Sequence, residues 1–172
     1  LALNIGEVIH MMKEYSGKPV MVLTNGTTLK DPAVRHDLRE ADHVAIKLDA
    51  ADEETFKRMN RPVPGVTLAS VVKGAEQFRQ EYNGKLSLQC MFMPGNLEQA
   101  SAMAELAAKI QPDEIQLNTP KRPYPMEWVL ESRGNHEKVQ YTETRTLRTV
   151  TQDEADILKQ IFFIFLIKKF FD

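Results

Sequence analysis

The chain of 172 residues predicts an α/β fold, a partial TIM-like (β/α) barrel of about four parallel strands, on three observations. Four short apolar runs alternate with segments of helical periodicity, the order that builds a parallel sheet with crossover helices. Each run is apolar on one face only. The polar residues of the other face gather toward the C-terminal ends of the runs. A flat sheet covered by helices on both sides would give nearly continuous apolar strands. A curved sheet with helices outside and a polar lumen inside accounts for the asymmetry.

The elements follow in order. Asn4 to Tyr15 reads as a helix, with Asn4 as N-cap, Glu7 three residues on, and Val8, Ile9, Met11 and Met12 as its apolar stripe. Pro19 to Thr24 (PVMVLT), His43 to Leu48 (HVAIKL), Lys85 to Met93 (KLSLQCMFM) and Glu114 to Asn118 (EIQLN) read as the strands. Helices are expected over Pro32 to Glu40, over Asp52 to Met59 with an acidic first turn, over Thr67 to Tyr82 and over Leu97 to Ile110.

After Asn118 the character changes. Pro120, Pro123 and Pro125 break regular structure, Trp128 is a candidate anchor, and Ser132 to Glu137 (SRGNHE) is turn-like. Tyr141 to Val150 reads as an extra strand, and Thr151 with Glu154 as the capping box of a last helix. The end of that helix, Ile161 to Phe171 (IFFIFLIKKFF), is expected to pack on this domain or on another chain, by self-association or with a protein partner. A membrane-surface anchor, aided by Lys168 and Lys169, is the weaker reading.

Composition excludes more than it selects. A formal net charge of -2 gives no electrostatic case for binding a phosphate backbone. Cys90 is the one cysteine, so the chain has no internal disulfide and no self-contained zinc or iron–sulfur ligand set, and a reducing cytoplasm is the default compartment. No signal peptide is recognisable, and no apolar run approaches the roughly 20 residues of a transmembrane helix. GxGxxG, GxxxxGK[ST] and GxSxG are all missing. His10, His36, His43 and His136 show no ligand spacing, and His36 and His43, beside Asp37 and Asp42, read as solvated element ends.

Alternation across the strands divides the side chains. Val20 and Val22, then Val44, Ile46 and Leu48, then Leu86, Leu88, Cys90 and Phe92, then Ile115 and Leu117 form the helix-facing set, which makes Cys90 an inert core thiol. Lys47 and Asp49, Gln89, Met91 and Met93, and Gln116 and Asn118 fall on the other face. In barrel-like α/β proteins ligands bind at the C-terminal rim. That rim comprises Thr24-Asn25-Gly26, Asp49-Ala50-Ala51, Pro94-Gly95-Asn96 and Asn118-Thr119-Pro120. Each signal has a plainer alternative: a turn at Asn25-Gly26, an inward ion pair for Lys47 and Asp49, water or backbone partners for the amides, and core packing for the methionines.

The stretches VLTNGTTL, KLDAADEETFKRMNRP, EIQLNTPKRP and PMEWV, in this order and spacing, resemble the radical SAM superfamily, most closely its iron–sulfur oxidoreductases related to wybutosine synthesis. The likeness runs from about Leu1 to Val129, so residues 1–129 are expected to form the C-terminal part of a (β/α)6 radical SAM core and residues 130–172 a C-terminal extension. The resemblance implies S-adenosylmethionine and a [4Fe-4S] cluster, which together yield a 5'-deoxyadenosyl radical that abstracts hydrogen from a substrate the sequence does not name. It also implies that the CxxxCxxC cluster segment and two strands precede Leu1, so that the chain alone is inactive. Asp49 matches the acidic position near the cofactor ribose, Thr24 and Asn25 the end of the preceding strand, and Gln116, Asn118 and Thr119 the strand that passes the adenine. Met93 matches the apolar contact of the strand between. Lys47 departs from the serine common in the tRNA-modifying relatives. Two other classes stand beside this one: a non-catalytic barrel-derived domain that binds a ligand or a partner, and an aldolase-like fragment using Lys47 as a Schiff-base nucleophile.

Overall fold

The computed structural model describes residues 4–120, 124–125, 144–145 and 148–171. Its order is α1 (Ile5–Ser16), β1 (Met21–Thr24), α2 (Pro32–Leu38), β2 (His43–Lys47), α3 (Glu53–Asn60), α4 (Leu68–Glu81), β3 (Lys85–Met91), α5 (Ala100–Ile110), β4 (Glu114–Asn118), β5 (Tyr124–Pro125), β6 (Thr144–Arg145) and α6 (Gln152–Phe171). Strands β1 to β4 form one parallel sheet in sequence order, the arrangement that the alternation predicts. The short strands β5 and β6 pair antiparallel and apart from it.

Local chemistry sets the ends of these elements. Asp31 and Asp52 cap α2 and α3 through their carboxylates, and Thr67 with Ser70 closes a reciprocal capping box on α4. Thr151 and Glu154 do the same for α6, at 3.2 and 2.8 Å. Asn4 stands at the N-cap of α1 without a side-chain hydrogen bond, a departure from the expected cap. The third strand stops at Met91 rather than Met93, because Met93 N donates to the side chain of Asn96 instead of to a neighbouring strand. The helix expected from Leu97 opens with a 3-10 turn, Leu97–Gln99, before α5 begins.

Register puts the apolar set in layers. Val22 aligns with Val44 and Leu86, Ile46 with Leu88 and Ile115, and Cys90 with Leu117. Helices α1, α2, α4 and α5 contribute Ile9, Leu38, Val71, Phe78, Met103 and Ala107 to the same core. Gly74 lets α4 approach the loop after β1, since a Cβ there would lie 2.9 Å from the carbonyl carbon of Leu29. Phe78 stacks on Tyr82, whose hydroxyl donates to Ala41 O at 2.8 Å and is pushed up to about 12 by burial. Helix α6 packs on α5, burying Leu158 and Phe162, the latter edge-on to Phe92 with ring centroids 5.9 Å apart. This is the packing expected for the start of the apolar end, although Phe163 and Ile164 are exposed.

Trp128, the turn-like 132–137 stretch, His136, most of the strand expected over 141–150 and the 129/130 boundary lie outside the described residues. No helix among the described residues is long and apolar enough to cross a membrane.

Candidate functional site at the sheet rim

The polar face is organised in rows by strand register. Deepest in the sheet, His43 and Ser87 stand one row apart on neighbouring strands and share a diagonal 2.6 Å hydrogen bond, so half-buried His43 is tied into the sheet rather than solvated as its sequence context predicts. Beside them Lys85 pairs with Glu114, and that hydrogen bond leads in holding the Glu114 carboxyl below its ordinary range. Lys47, Gln89 and Gln116 align across three strands in the next row, with Gln89 Nε2 at 3.4 Å from Gln116 Oε1. Met91 and Asn118 align in the row at the rim, where Asp49 meets them from the end of β2.

Asp49 is the centre of this rim. It is 4% exposed, and its carboxylate receives three donors. Met91 N donates to Oδ1 at 2.9 Å, Asn60 Nδ2 donates to Oδ2 at 2.9 Å, and Lys47 Nζ lies 2.5 Å from Oδ2. Lys47 and Asp49 therefore form the inward ion pair that sequence offers as one of two readings, and a lysine so engaged gives no support to a Schiff-base role. Asn60 reaches Asp49 because α3 ends at the rim, where Arg58 Nη2 also donates to Gly95 O at 2.7 Å.

Asn96, fully buried, is a second fastening that sequence reading places on the rim without giving it a role of its own. Its Nδ2 donates to Asp49 O at 2.8 Å and Met91 O at 2.9 Å, and its Oδ1 accepts from Met93 N at 2.8 Å. The two rim loops are thus locked by one side chain. The pattern Pro-Gly-Asn disguises it, because turn propensity alone accounts for an asparagine there.

The other expected site residues divide. Thr24 Oγ1 accepts from Gly26 N at 3.1 Å, and Asn25 Oδ1 accepts from Thr27 N at 3.2 Å and Thr27 Oγ1 at 2.9 Å, so both side chains shape the turn. Gly26 adopts φ +74° against Ile46 and Val71, a conformation that favours glycine. Thr119 Oγ1 accepts from Val150 N at 3.1 Å and thereby ties the approach of α6 to the end of β4. Gln116, Asn118 and Met93 are half-buried at or beside the rim, near Asp49 and Gln89. Cys90 lies wholly in the helix-facing core, its thiol pushed up to about 12 chiefly by burial. An open groove of about 530 Å³ among α3, α4 and α5, lined by Leu68, Val72, Leu106 and Lys109, lies on the helix side and reaches the rim only at Ala51 and Asp52.

The donor set decides what these residues fit. Iron–sulfur clusters are held by several thiolates, and this chain has one buried cysteine. Among the described residues no group of three or more His, Cys, Asp and Glu is placed to hold a metal ion. The chain's own residues do not fit a cluster. Amides, a fixed carboxylate and a methionine suit a polar organic ligand.

No protein-family model matches the chain. It is similar to the UPF0026 protein slr1464 of Synechocystis, 40% identical over 153 residues that make up 88% of this chain and 56% of that protein. The UPF0026 protein MJ1312 of Methanocaldococcus jannaschii is 29% identical over 72% of this chain and 39% of its own length. The chain thus spans about half or less of these curated relatives. Among solved structures, a domain of pyruvate-formate lyase-activating enzyme from Bacteroides vulgatus superposes with a TM-score of 0.64 over 95% of this chain and 88% of that one, at 15% identity. TYW1 with a lysine-pyruvate adduct bound gives 0.57 over 91% and 44%, at 14% identity. SuiB of Streptococcus suis, bound to precursor peptide SuiA, gives 0.53 over 68% and 26%, also at 14% identity. The chain has the α/β fold of these structures, a partial barrel with four parallel strands in one sheet.

Proposed function

We propose that this chain is the S-adenosylmethionine-binding part of a radical SAM oxidoreductase of the branch related to wybutosine synthesis, working in a reducing cytoplasm with a [4Fe-4S] cluster held by cysteines outside residues 1–172. The observation that supports it most is the rim around Asp49: a buried carboxylate, fixed by Met91 N, Asn60 and Lys47, with Met93, Gln116 and Asn118 beside it at the C-terminal ends of a barrel-type sheet. The sequence stretches quoted above and the fold likeness support the same reading independently.

In this reading the cofactor, when bound together with its cluster, supplies the radical chemistry, and the protein supplies orientation and exclusion of water. Asp49 fixes the ribose edge of the site. Gln116 and Asn118, on the last strand of the sheet, offer donors and acceptors to the base. Met93 offers an apolar contact beside them. Lys47 and Gln89, aligned one step deeper than Met91 in the register, are left in this reading to the substrate side.

Saturable binding of S-adenosylmethionine by the chain, lost in Asp49→Ala and in Asn118→Ala, is the expected result, measured by calorimetry on variants that retain the native circular dichroism spectrum. The chain by itself is expected not to cleave the cofactor after anaerobic iron–sulfide treatment. Absence of binding to the folded chain would favour the barrel-derived docking domain instead.

A further inference from the structure

We infer that Asn60 is a ligand-contacting residue of the rim, accepting a hydrogen bond from a ligand hydroxyl through Oδ1, and that Asp49 serves mainly to hold Asn60 and the strand ends in place. This rests on the reading of the rim as a nucleoside site and changes which side chain does the recognising. A carboxylate offers about four lone-pair positions. Asp49 already receives Met91 N, Asn60 Nδ2 and Lys47 Nζ, and the side chain is 3% exposed, so little of its accepting capacity is left.

Asn60 stands in the opposite condition. Its Nδ2 is committed to Asp49 Oδ2, which fixes the orientation of the amide, because the flipped form would set one oxygen against another. Its Oδ1 is buried and has no hydrogen-bond partner. Buried polar atoms are nearly always satisfied, so an acceptor left open beside a carboxylate that already holds three donors marks the place where a donor is missing. The donor must come from outside, and a sugar hydroxyl is the nucleoside group suited to it. The bond to Asp49 accounts for the amide's donor at the end of α3 and leaves its acceptor without a role inside the fold.

The test is an NMR titration of the 15N-labelled chain with adenosine, 2'-deoxyadenosine and 3'-deoxyadenosine, following backbone and side-chain amides. Wild type is expected to bind adenosine roughly tenfold more tightly than the weaker of the two deoxynucleosides, the value of one well-made hydrogen bond. In Asn60→Ala that preference disappears, while affinity for the weaker deoxynucleoside stays within about twofold of wild type. Asn60→Ser, which keeps a shorter acceptor, retains part of the preference and guards against a misfolded alanine variant. A preference that survives unchanged in both variants, or a parallel weakening of all three nucleosides, overturns the inference and leaves the nucleoside site standing. Failure of every nucleoside to bind the folded wild-type chain overturns both.

Discussion

The two faces of the same four strands are built on different physics. On the helix side Val44, Ile46, Leu86, Leu88 and Cys90 share one core with side chains from all six helices, and stability there comes from area removed from water and from close packing. On the other side each polar group depends on one or two named partners: His43 on Ser87, Lys47 and Asn60 on Asp49, Gln89 on Gln116. One face tolerates volume-conserving exchange and punishes cavities. The other tolerates loss of volume and punishes loss of a partner.

That contrast can be broken or sharpened by substitution. Leu88→Ala, at a fully buried core position, is expected to cost about 2–5 kcal/mol in urea unfolding. Asp49→Ala removes one side chain but strands Met91 N and Asn60 Nδ2, and is expected to cost about 1–3 kcal/mol, with Asp49→Asn recovering part of the loss. Gln89→Leu, one residue from Leu88 but on the polar face and half-buried, loses only a 3.4 Å bond to Gln116, which keeps Glu114 as a partner at 2.8 Å, and is expected to cost less than about 1 kcal/mol. A cost for Gln89→Leu equal to that of Leu88→Ala would erase the distinction between the faces.

Two smaller effects bear on the margins of the sheet. Cys90 is expected to resist thiol reagents at pH 8 until the chain unfolds, because its thiol is both buried and poorly ionised. Asp42 accepts from Val20 N at 2.7 Å and from Lys13 Nζ at 3.0 Å, and the Val20 bond leads in holding its carboxyl below 3.8. A carboxyl lowered in the folded state contributes fully above its unfolded value of 3.8, and that contribution is lost as the pH falls through the lower folded value. Asp42→Asn is therefore expected to flatten the acid limb of a stability profile below about pH 4, with no new dependence near neutrality.

Periodicity made the sheet readable. The expected strand Glu114 to Asn118 is the observed one, and Asp52 and Thr67 lie at the helix starts because a cap is a local interaction visible in a few residues. The rim was harder to read for the opposite reason. Asn60 acts on a residue 11 positions away and Asn96 on one 47 away, distances over which sequence spacing carries no geometric information. Asn25 shows the converse: its residue type fits a binding loop and a turn equally, and its Oδ1 accepts from Thr27 two residues on. Thr119, expected at the adenine, spends its hydroxyl as an acceptor for Val150 N.

Gly74 lies on the far side of the sheet from the rim, yet it touches the loop that carries Thr24 and Asn25, because α4 rests on the backbone of Leu29 and Lys30. A single methyl group added there must displace either the helix or that loop. In genetic terms this is where a conditional allele belongs: Gly74→Ala is expected to leave the core residues intact while tilting the turn after β1, and because the added methyl meets the backbone and Cβ of Leu29 and the backbone of Lys30, shortening the Leu29 side chain should not suppress it.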